Sequence, residues 1–308
     1  MSIELLYKQC IGINNKTDPT RLSIGESCEL ETGTDILIDK AGGIASTRGN
    51  SLVSAGNYHS GFDLGDGTFL AVMDYSTGSA LYKCFPNVDG TLTISGLRSG
   101  MTKGARNSYC WVDGKVHYMN GFEKGIINND VSTEWTVSEW PRETEEIYLP
   151  TPTGKFLDII SGCFIIGSGK EIIWTESGIW GIVNENTSWE RLETDVRMIY
   201  SVGTGVYISD SRSVYWCAGM NPREWEFKKV LDYPAIPYKK HSRLVDPSLY
   251  GFQISAASAL FGTLNGPVVG FPDGNVFNLV DKRVAMPKNY TKGGLMVVDE
   301  TLIILSGV

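Results

Sequence analysis

The chain lacks the features that mark a membrane-bound, secreted or zinc-binding protein. Its 308 residues contain no apolar run that approaches the ~18 residues of a membrane span. Its first residues, MSIELLYK, show neither the basic segment nor the apolar run of a signal peptide. The six cysteines include no C-x-x-C pair, so the spacing of a zinc site is absent. We therefore expect free thiols in a chain that folds in a reducing cytoplasm and does not contact a membrane.

Positive charge is scarce relative to negative charge. Lysine and arginine total 27 residues against 35 acidic residues, which gives a net charge of −8. A protein dedicated to binding nucleic acid needs a basic face to neutralise phosphates, so we expect no specific nucleic-acid partner. The densest basic run, at 239–243, lies in a proline-flanked stretch and is typical of a solvated loop.

Glycine is abundant, and short apolar segments separated by glycine-bearing turns recur roughly every 45 residues. Clear examples are residues 60–74, 107–121 and 197–210. A unit of several short strands cannot bury both of its faces, so its copies must stack, and this period is typical of β-propellers. The sequence therefore predicts an all-β fold of the β-propeller class, with little helix.

Five complete units can be placed along the chain. They span about 58–97, 107–140, 156–192, 197–227 and 259–285. Aspartate-glycine pairs such as Asp66-Gly67 and Asp113-Gly114 supply the positive φ of tight hairpin turns. We therefore expect four strands in each blade.

Half a blade remains at each end of the chain. Two apolar segments, 294–298 and 301–305, follow the fifth unit, and a hairpin is predicted at 34–47. We expect these halves to combine into a sixth blade, because closing the ring removes exposed sheet edges. Seven blades are the alternative, since residues 230–258 could hold one more unit. The predicted organisation is an N-terminal arm, residues 1–22, and a single propeller domain, residues 23–308.

No catalytic, cofactor-binding or metal-binding residue is predicted. The segment 162–170 superficially resembles a phosphate-binding loop, but a strand follows it where a helix is needed. The segment 63–67 has the residue types of a calcium loop without the distal ligands, so it is interpreted as a turn. The histidines are isolated, and His117, on one face of a strand, is interpreted as a hydrogen-bonded structural residue. We therefore expect a protein that is not an enzyme.

The eight tryptophans could either fill the core or stack on sugars. Most lie at equivalent places in successive units, which favours packing between neighbouring sheets. Trp140 and Trp180 are the expected exceptions.

The sequence GINNKTDPTRL at 12–22, followed by DILID at 35–39 and GIASTRG at 43–49, resembles the start of virion structural proteins of tailed bacteriophages. In that family a G-I-N-N arm precedes a hairpin and then a set of blades. Here 44–47 replace the basic residues usual in that hairpin.

The resemblance implies a non-enzymatic structural component of the virion, in or attached to the tail and assembled in the host cytoplasm. Its partners would be other tail or connector proteins, or further copies of itself in a symmetric ring. Asn14, Asn15, Asp18 and Arg21 in the arm are the candidate partner contacts.

The alternative function is a propeller that binds or cleaves glycans at the host surface. Glycoside hydrolysis requires only two suitably placed carboxylates. Propeller sialidases carry Ser-x-Asp-x-Gly-x-x-Trp repeats, and the nearest match here, 209–216, misplaces both the aspartate and the glycine. The two hypotheses differ in whether a pocket with exposed tryptophan and carboxylates is present.

Overall fold

A computed structural model describes residues 54–137, 140, 146–237 and 257–280, together with seven further strands near the two ends of the chain. Within these residues the fold is all-β, and its only helical element is a short 3-10 turn, Pro222–Glu224. Among the same residues, no helix has the length and apolar character to cross a membrane.

Five short strands precede residue 54. They are β1 (Gln9–Ile13), β2 (Ser23–Ile24), β3 (Ser27–Leu30), β4 (Ile36–Ile38) and β5 (Ile44–Ser46). Strand β3 pairs in parallel with β1 and antiparallel with β2. Strands β4 and β5 form the antiparallel hairpin predicted there, which is therefore confirmed. Strand β1 lies inside the predicted arm, so part of that segment is a paired strand. The division at residue 22 stays a prediction.

The central part of the chain forms four antiparallel sheets of four strands each, which we call blades 1 to 4. Blade 1 contains β6 (Asn57–Asp63), β7 (Phe69–Asp74), β8 (Ser79–Pro86) and β9 (Leu92–Met101). Blade 2 contains β10 (Ser108–Val112), β11 (Lys115–Met119), β12 (Lys124–Asn128) and β13 (Val131–Glu134). Both follow a simple meander, as the turn spacing predicts.

Blade 3 carries an insertion. Its strands are β15 (Phe156–Ile160), β16 (Cys163–Ser168), β17 (Glu171–Trp174) and β19 (Trp189–Arg191). Between β17 and β19 runs β18 (Ile182–Asn184), which pairs instead with β14 (Tyr148–Pro150), before the blade. Blade 4 contains β20 (Met198–Val202), β21 (Gly205–Ser209), β22 (Val214–Ala218) and β23 (Phe227–Leu231).

The remaining strands form a three-stranded sheet, blade 5, and a C-terminal hairpin. Blade 5 contains β24 (Ala259–Thr263), β25 (Gly266–Gly270) and β26 (Val276–Asn278). The hairpin is β27 (Lys292–Val298) and β28 (Thr301–Gly307). The fourth strand predicted for this unit, near 283–285, lies outside the described residues, as does most of the segment 230–258, where a seventh unit is the alternative.

Each hydrophobic core cluster lies between two successive blades. One joins blades 1 and 2, and the next three join blades 2 and 3, 3 and 4, and 4 and 5. The first strands of neighbouring sheets also lie in contact, from β10 through β15, β20 and β24 to β27. Sheets that stack face to face with their first strands innermost form a β-propeller, and the predicted fold class is therefore confirmed.

The prediction that the two terminal hairpins share one sheet is not confirmed by the described strands. The β4–β5 and β27–β28 hairpins each form a separate two-stranded sheet, and the described strands show no pairing between them. Strand β27 contacts the innermost strand of blade 5, as a following blade would, whereas β4 contacts β1. The N-terminal hairpin thus has a partner in its own segment, and the total of six blades stays a prediction.

Two outer strands differ from their predicted positions. The last strand of blade 2 ends at Glu134, before the end of the predicted unit at residue 140. The last strand of blade 4 begins at Phe227, because Pro222 starts a 3-10 turn capped by the Asn221 side chain. Trp225 follows that turn and therefore does not occupy the strand position held by Trp189.

Tight turns follow the predicted chemistry at Asp113-Gly114, where both residues have positive φ, 48° and 71°. A turn of the same kind was missed at Asn129-Asp130, with φ of 48° and 61°, because it contains no glycine. Lys83 Nζ in blade 1 contacts Asp130 Oδ1 at 2.7 Å. This ion pair joins the turn to the neighbouring blade.

Cys84, Cys110, Cys163 and Cys217 are free, and Cys84 and Cys217 are fully buried. Burial raises the pKa of both thiols. For these residues the prediction of free thiols is confirmed, and their side chains serve as small apolar core groups.

Two glycines allow Trp216 to lie flat on the blade 4–5 interface. A Cβ at Gly205 would stand 2.3 Å from Trp216 Cζ2, and one at Gly274 would stand 2.4 Å from Trp216 Cδ1. Because a larger side chain would displace a ring that is itself packed against Tyr207, these positions require glycine.

Gly205→Ala is expected to lower the free energy of unfolding by about 1–3 kcal/mol, because the added methyl would displace the Trp216 ring or the nearby backbone. Gly61→Ala is the matched control, since a Cβ there meets no atom within 4 Å. Urea unfolding followed by circular dichroism would measure both. Equal stabilities of the two variants would contradict this account.

Candidate functional site

The predicted partner contacts Asn14, Asn15, Asp18 and Arg21 lie outside the described residues. Strand β1 ends immediately before Asn14, at Ile13. The role of these four side chains therefore stays a prediction, and the candidate interaction surface among the described residues is sought elsewhere.

The outermost strands carry large apolar side chains that are exposed to solvent. Ile94 lies on β9, Val131 on β13, Trp189 on β19 and Phe277 on β26. These are the last described strands of four different blades, and we call this set the apolar rim. Apolar groups repeated around one edge of a disc are available for contact with other proteins.

The inner strands are held together by side-chain oxygens that bind the backbone of the next blade. Ser108 Oγ accepts a hydrogen bond from Leu157 N at 3.0 Å, which joins blades 2 and 3. Asp158 Oδ2 accepts one from Ser201 N at 2.6 Å, which joins blades 3 and 4. Both oxygens belong to fully or nearly fully buried residues, so these bonds are shielded from water.

The described residues that come nearest to a catalytic arrangement are Ser60, His59 and Asp74 in blade 1. Ser60 Oγ lies 2.7 Å from His59 Nδ1, and His59 Nε2 lies 3.1 Å from Asp74 Oδ1. If the Nε2 hydrogen points to the carboxylate, Nδ1 accepts the serine proton. Ser60 also has a positive φ of 56°, which is strained for a residue other than glycine.

The remaining bonds of this cluster favour a structural role. Asn107 N donates to Ser60 Oγ at 2.9 Å and so ties blade 1 to the segment that enters blade 2. Asp74 accepts hydrogen bonds from the Ser79 hydroxyl and from Gly104 N as well as from His59, and these bonds lower the pKa of its carboxyl to about 2 despite desolvation. The Asn107 amide, which would be the nearest donor for an oxyanion, is already directed at the serine oxygen.

Asp74→Ala is expected to destabilise the protein by about 1–3 kcal/mol, because the donors of His59, Ser79 and Gly104 lose their common acceptor. Thermal unfolding would measure this loss. Hydrolysis of p-nitrophenyl acetate should be equally slow with the unmodified protein and with Ser60→Ala. An esterase rate that disappears in Ser60→Ala would show that the cluster is catalytic.

His117 occupies an aromatic cluster between blades 2 and 3. Its ring centroid lies 4.8 Å from that of Trp135, 4.7 Å from that of Phe164 and 5.4 Å from that of Trp180. Its Nδ1 has no hydrogen-bond partner among the described residues. The expected structural histidine is therefore buried, but the expected hydrogen bond at this nitrogen is absent. Desolvation, and then the Lys115 charge, lower its pKa from 6.5 to about 4.

This lowered pKa predicts a loss of stability in mild acid. The unfolded chain binds a proton at His117 below about pH 6.5, whereas the folded chain resists protonation until about pH 4, so stability falls across that window as the pH falls. Between about pH 7 and about pH 5 the loss should be about 2 kcal/mol.

Urea unfolding of the unmodified protein and of His117→Leu at both pH values would measure this effect. The leucine variant lacks the titrating group, so its pH dependence should be smaller by that amount. Identical pH dependences would show that folding does not change the pKa of His117.

The tryptophans divide differently from the prediction. Trp135, Trp174 and Trp216 are buried, as expected for core packing. Trp140 is exposed, as expected, but Trp180 packs in the His117 cluster and donates from Nε1 to Gly162 O. Trp111 and Trp189 were predicted to be core residues, but both are about half exposed, at 49% and 48%.

The two rejected ligand motifs form ordinary turns. Residues 163–168 and 171–174 are paired strands of one hairpin, so no helix follows the loop that superficially resembles a phosphate-binding loop. Asp63 Oδ1 accepts from Gly65 N, and Asp66 Oδ1 accepts from Thr68 N. Within the described part of the chain, no three histidine, cysteine, aspartate or glutamate residues cluster as metal ligands.

Solved structures with a similar fold include propellers of several kinds. A protein from Lactobacillus plantarum is 12% identical with a TM-score of 0.48, over 80% of this chain and 78% of that chain. The WD40 β-propeller domain of Doa1 is 12% identical with a TM-score of 0.41, over 72% and 68%. The WD40 domain of Neurospora crassa Pan2 is 10% identical with a TM-score of 0.40, over 72% and 78%.

No protein-family model and no curated protein sequence matches the chain. The propeller assignment rests on the order of the sheets and on the interfaces between them in this chain.

Proposed function

We propose that this protein is a non-enzymatic structural component of a tailed-phage virion, in or attached to the tail, which acts by assembly with other virion proteins. The resemblance of residues 12–49 to the start of such proteins supports the virion assignment. Among the described residues, the apolar rim is the observation that carries the assembly role.

The apolar rim supports assembly because its members share one location on different blades. Val131 is exposed at 59% and Phe277 at 49%, although both lie in strands where a polar residue would cost nothing. Burying such side chains against a partner yields about 25 cal/mol for each Å² of apolar surface removed from water. A set repeated around the disc matches a partner that contacts several blades.

The side-chain hydrogen bonds between the inner strands of successive blades support the same proposal. The bonds of Ser108 and Asp158 fix each of these blades to the one that follows it. A propeller fixed in this way is a rigid body, and a rigid body loses little conformational entropy when neighbours bind it.

The proposal predicts that purified phage particles contain this chain. Mass spectrometry of the particles should detect it, and cryo-microscopy should show a propeller in the tail region with the apolar rim against neighbouring chains. Absence of the chain from intact particles would refute the virion assignment.

Val131→Lys tests the rim in the same particles. The lysine would place a charge in a buried contact, so incorporation should fall at least several-fold relative to the unmodified chain. Val88→Lys is the matched control, since Val88 is a fully exposed valine in the turn between β8 and β9. Equal incorporation of both variants would show that Val131 does not lie in the interface.

A further inference from the structure

The insertion in blade 3 creates a cavity of about 310 Å³. Its walls come from the β14–β18 pair on one side and from β17 and β19 on the other. A cavity of this size can hold a small molecule and is too short for a long extended peptide. We propose that this cavity is a binding site for a neutral sugar. The proposal does not rest on the virion assignment, and it reserves Trp189 for the sugar, so that the rim contacts with neighbouring chains are left to Ile94, Val131 and Phe277.

The apolar wall of the cavity suits the face of a sugar ring. Trp189 lies opposite Ile173 across the β17–β19 pair, and Leu149 and Pro150 complete this side. Trp189 is half exposed because it lies on the outermost strand, beyond the reach of the neighbouring blade. An aromatic ring held at the mouth of a cavity can stack on the C–H groups of a pyranose.

The polar wall contains charged side chains that have no hydrogen-bond or ion-pair partner among the described residues. Glu171 lies directly opposite Arg191 in the strand register, yet the two form no ion pair. The side chains of Glu171, Arg191 and the nearby Glu185 make no hydrogen bond with any described residue. Two carboxylates offer acceptors and the guanidinium offers donors, and vicinal sugar hydroxyls can bond to both kinds of group.

A buried amide fixes the wall of the cavity that β18 supplies. Asn184 lines the cavity and is only 2% exposed. Its Oδ1 accepts hydrogen bonds from Asn186 N and Thr187 N, at 3.0 and 3.2 Å. Its Nδ2 is buried against the Tyr148 hydroxyl. The Asn184 side chain therefore holds the loop after β18 and shapes the cavity without binding the ligand.

The charge of the cavity disfavours an anionic ligand. Glu171 and Glu185 outnumber Arg191 among its charged lining residues, so an acidic sugar or a phosphate would meet net repulsion. A peptide could instead add to the open edge of β19, but that strand has three residues and offers few backbone bonds.

Saturation-transfer NMR with the purified full chain tests the proposal. The probes are the methyl glycosides of glucose, galactose, mannose and N-acetylglucosamine at millimolar concentrations. At least one should receive saturation through its ring protons. Trp189→Ala should weaken its binding at least tenfold, and Glu171→Gln several-fold. Trp111→Ala is the matched control, because Trp111 is an equally exposed tryptophan on a different blade.

Three results would overturn the proposal. These are no saturation of any of the four glycosides, unchanged binding in Trp189→Ala, and an equal loss of binding in Trp111→Ala. Thermal unfolding of each variant confirms that it is folded. Sugar binding by a chain that is absent from virions would refute the proposed function and leave this inference standing, so the two proposals fail separately.

Discussion

Hydrogen bonds from side chains on the inner strands to the backbone of the next blade are the interactions on which the ring depends. Each bond of this kind, at Ser60, Ser108 and Asp158, satisfies a main-chain N–H where two sheets approach most closely. Without these acceptors the amides would be buried and unpaired, which costs about 1–3 kcal/mol each. These bonds accompany the apolar clusters between blades 1 and 2, 2 and 3, and 3 and 4.

The same constraint explains where function can reside. Side chains such as Ser108 and Asp158 on the inner strands are engaged in holding neighbouring blades together. The blade 3 insertion and the apolar rim both present exposed apolar side chains at the periphery. A propeller whose inner strands are held by hydrogen bonds and whose outer strands carry exposed side chains can combine an assembly role with a sugar site.

The fold could be predicted from the sequence because strand length, turn chemistry and repeat period all point to stacked blades. The arrangement of the two terminal hairpins could not be predicted, because a short hairpin can pair with any nearby sheet edge. In the structure, β4 contacts β1. The blade 3 cavity was also missed. Its strand β14 is short and contains Pro150, which is more typical of a linker. The hydrogen bond of Asp158 to the next blade could not be predicted either, because a single acidic residue in an apolar strand does not indicate which backbone amide it accepts from.

The fully buried thiols of Cys84 and Cys217 lie in blades 1 and 4. A thiol reagent reaches them only when the surrounding blade separates from its neighbour, since the reactive thiolate is disfavoured by burial. The rate at which each sulfur is labelled therefore reports the opening of its own part of the ring. A comparison of the two rates would distinguish a disc that opens at one seam from one that loosens as a whole.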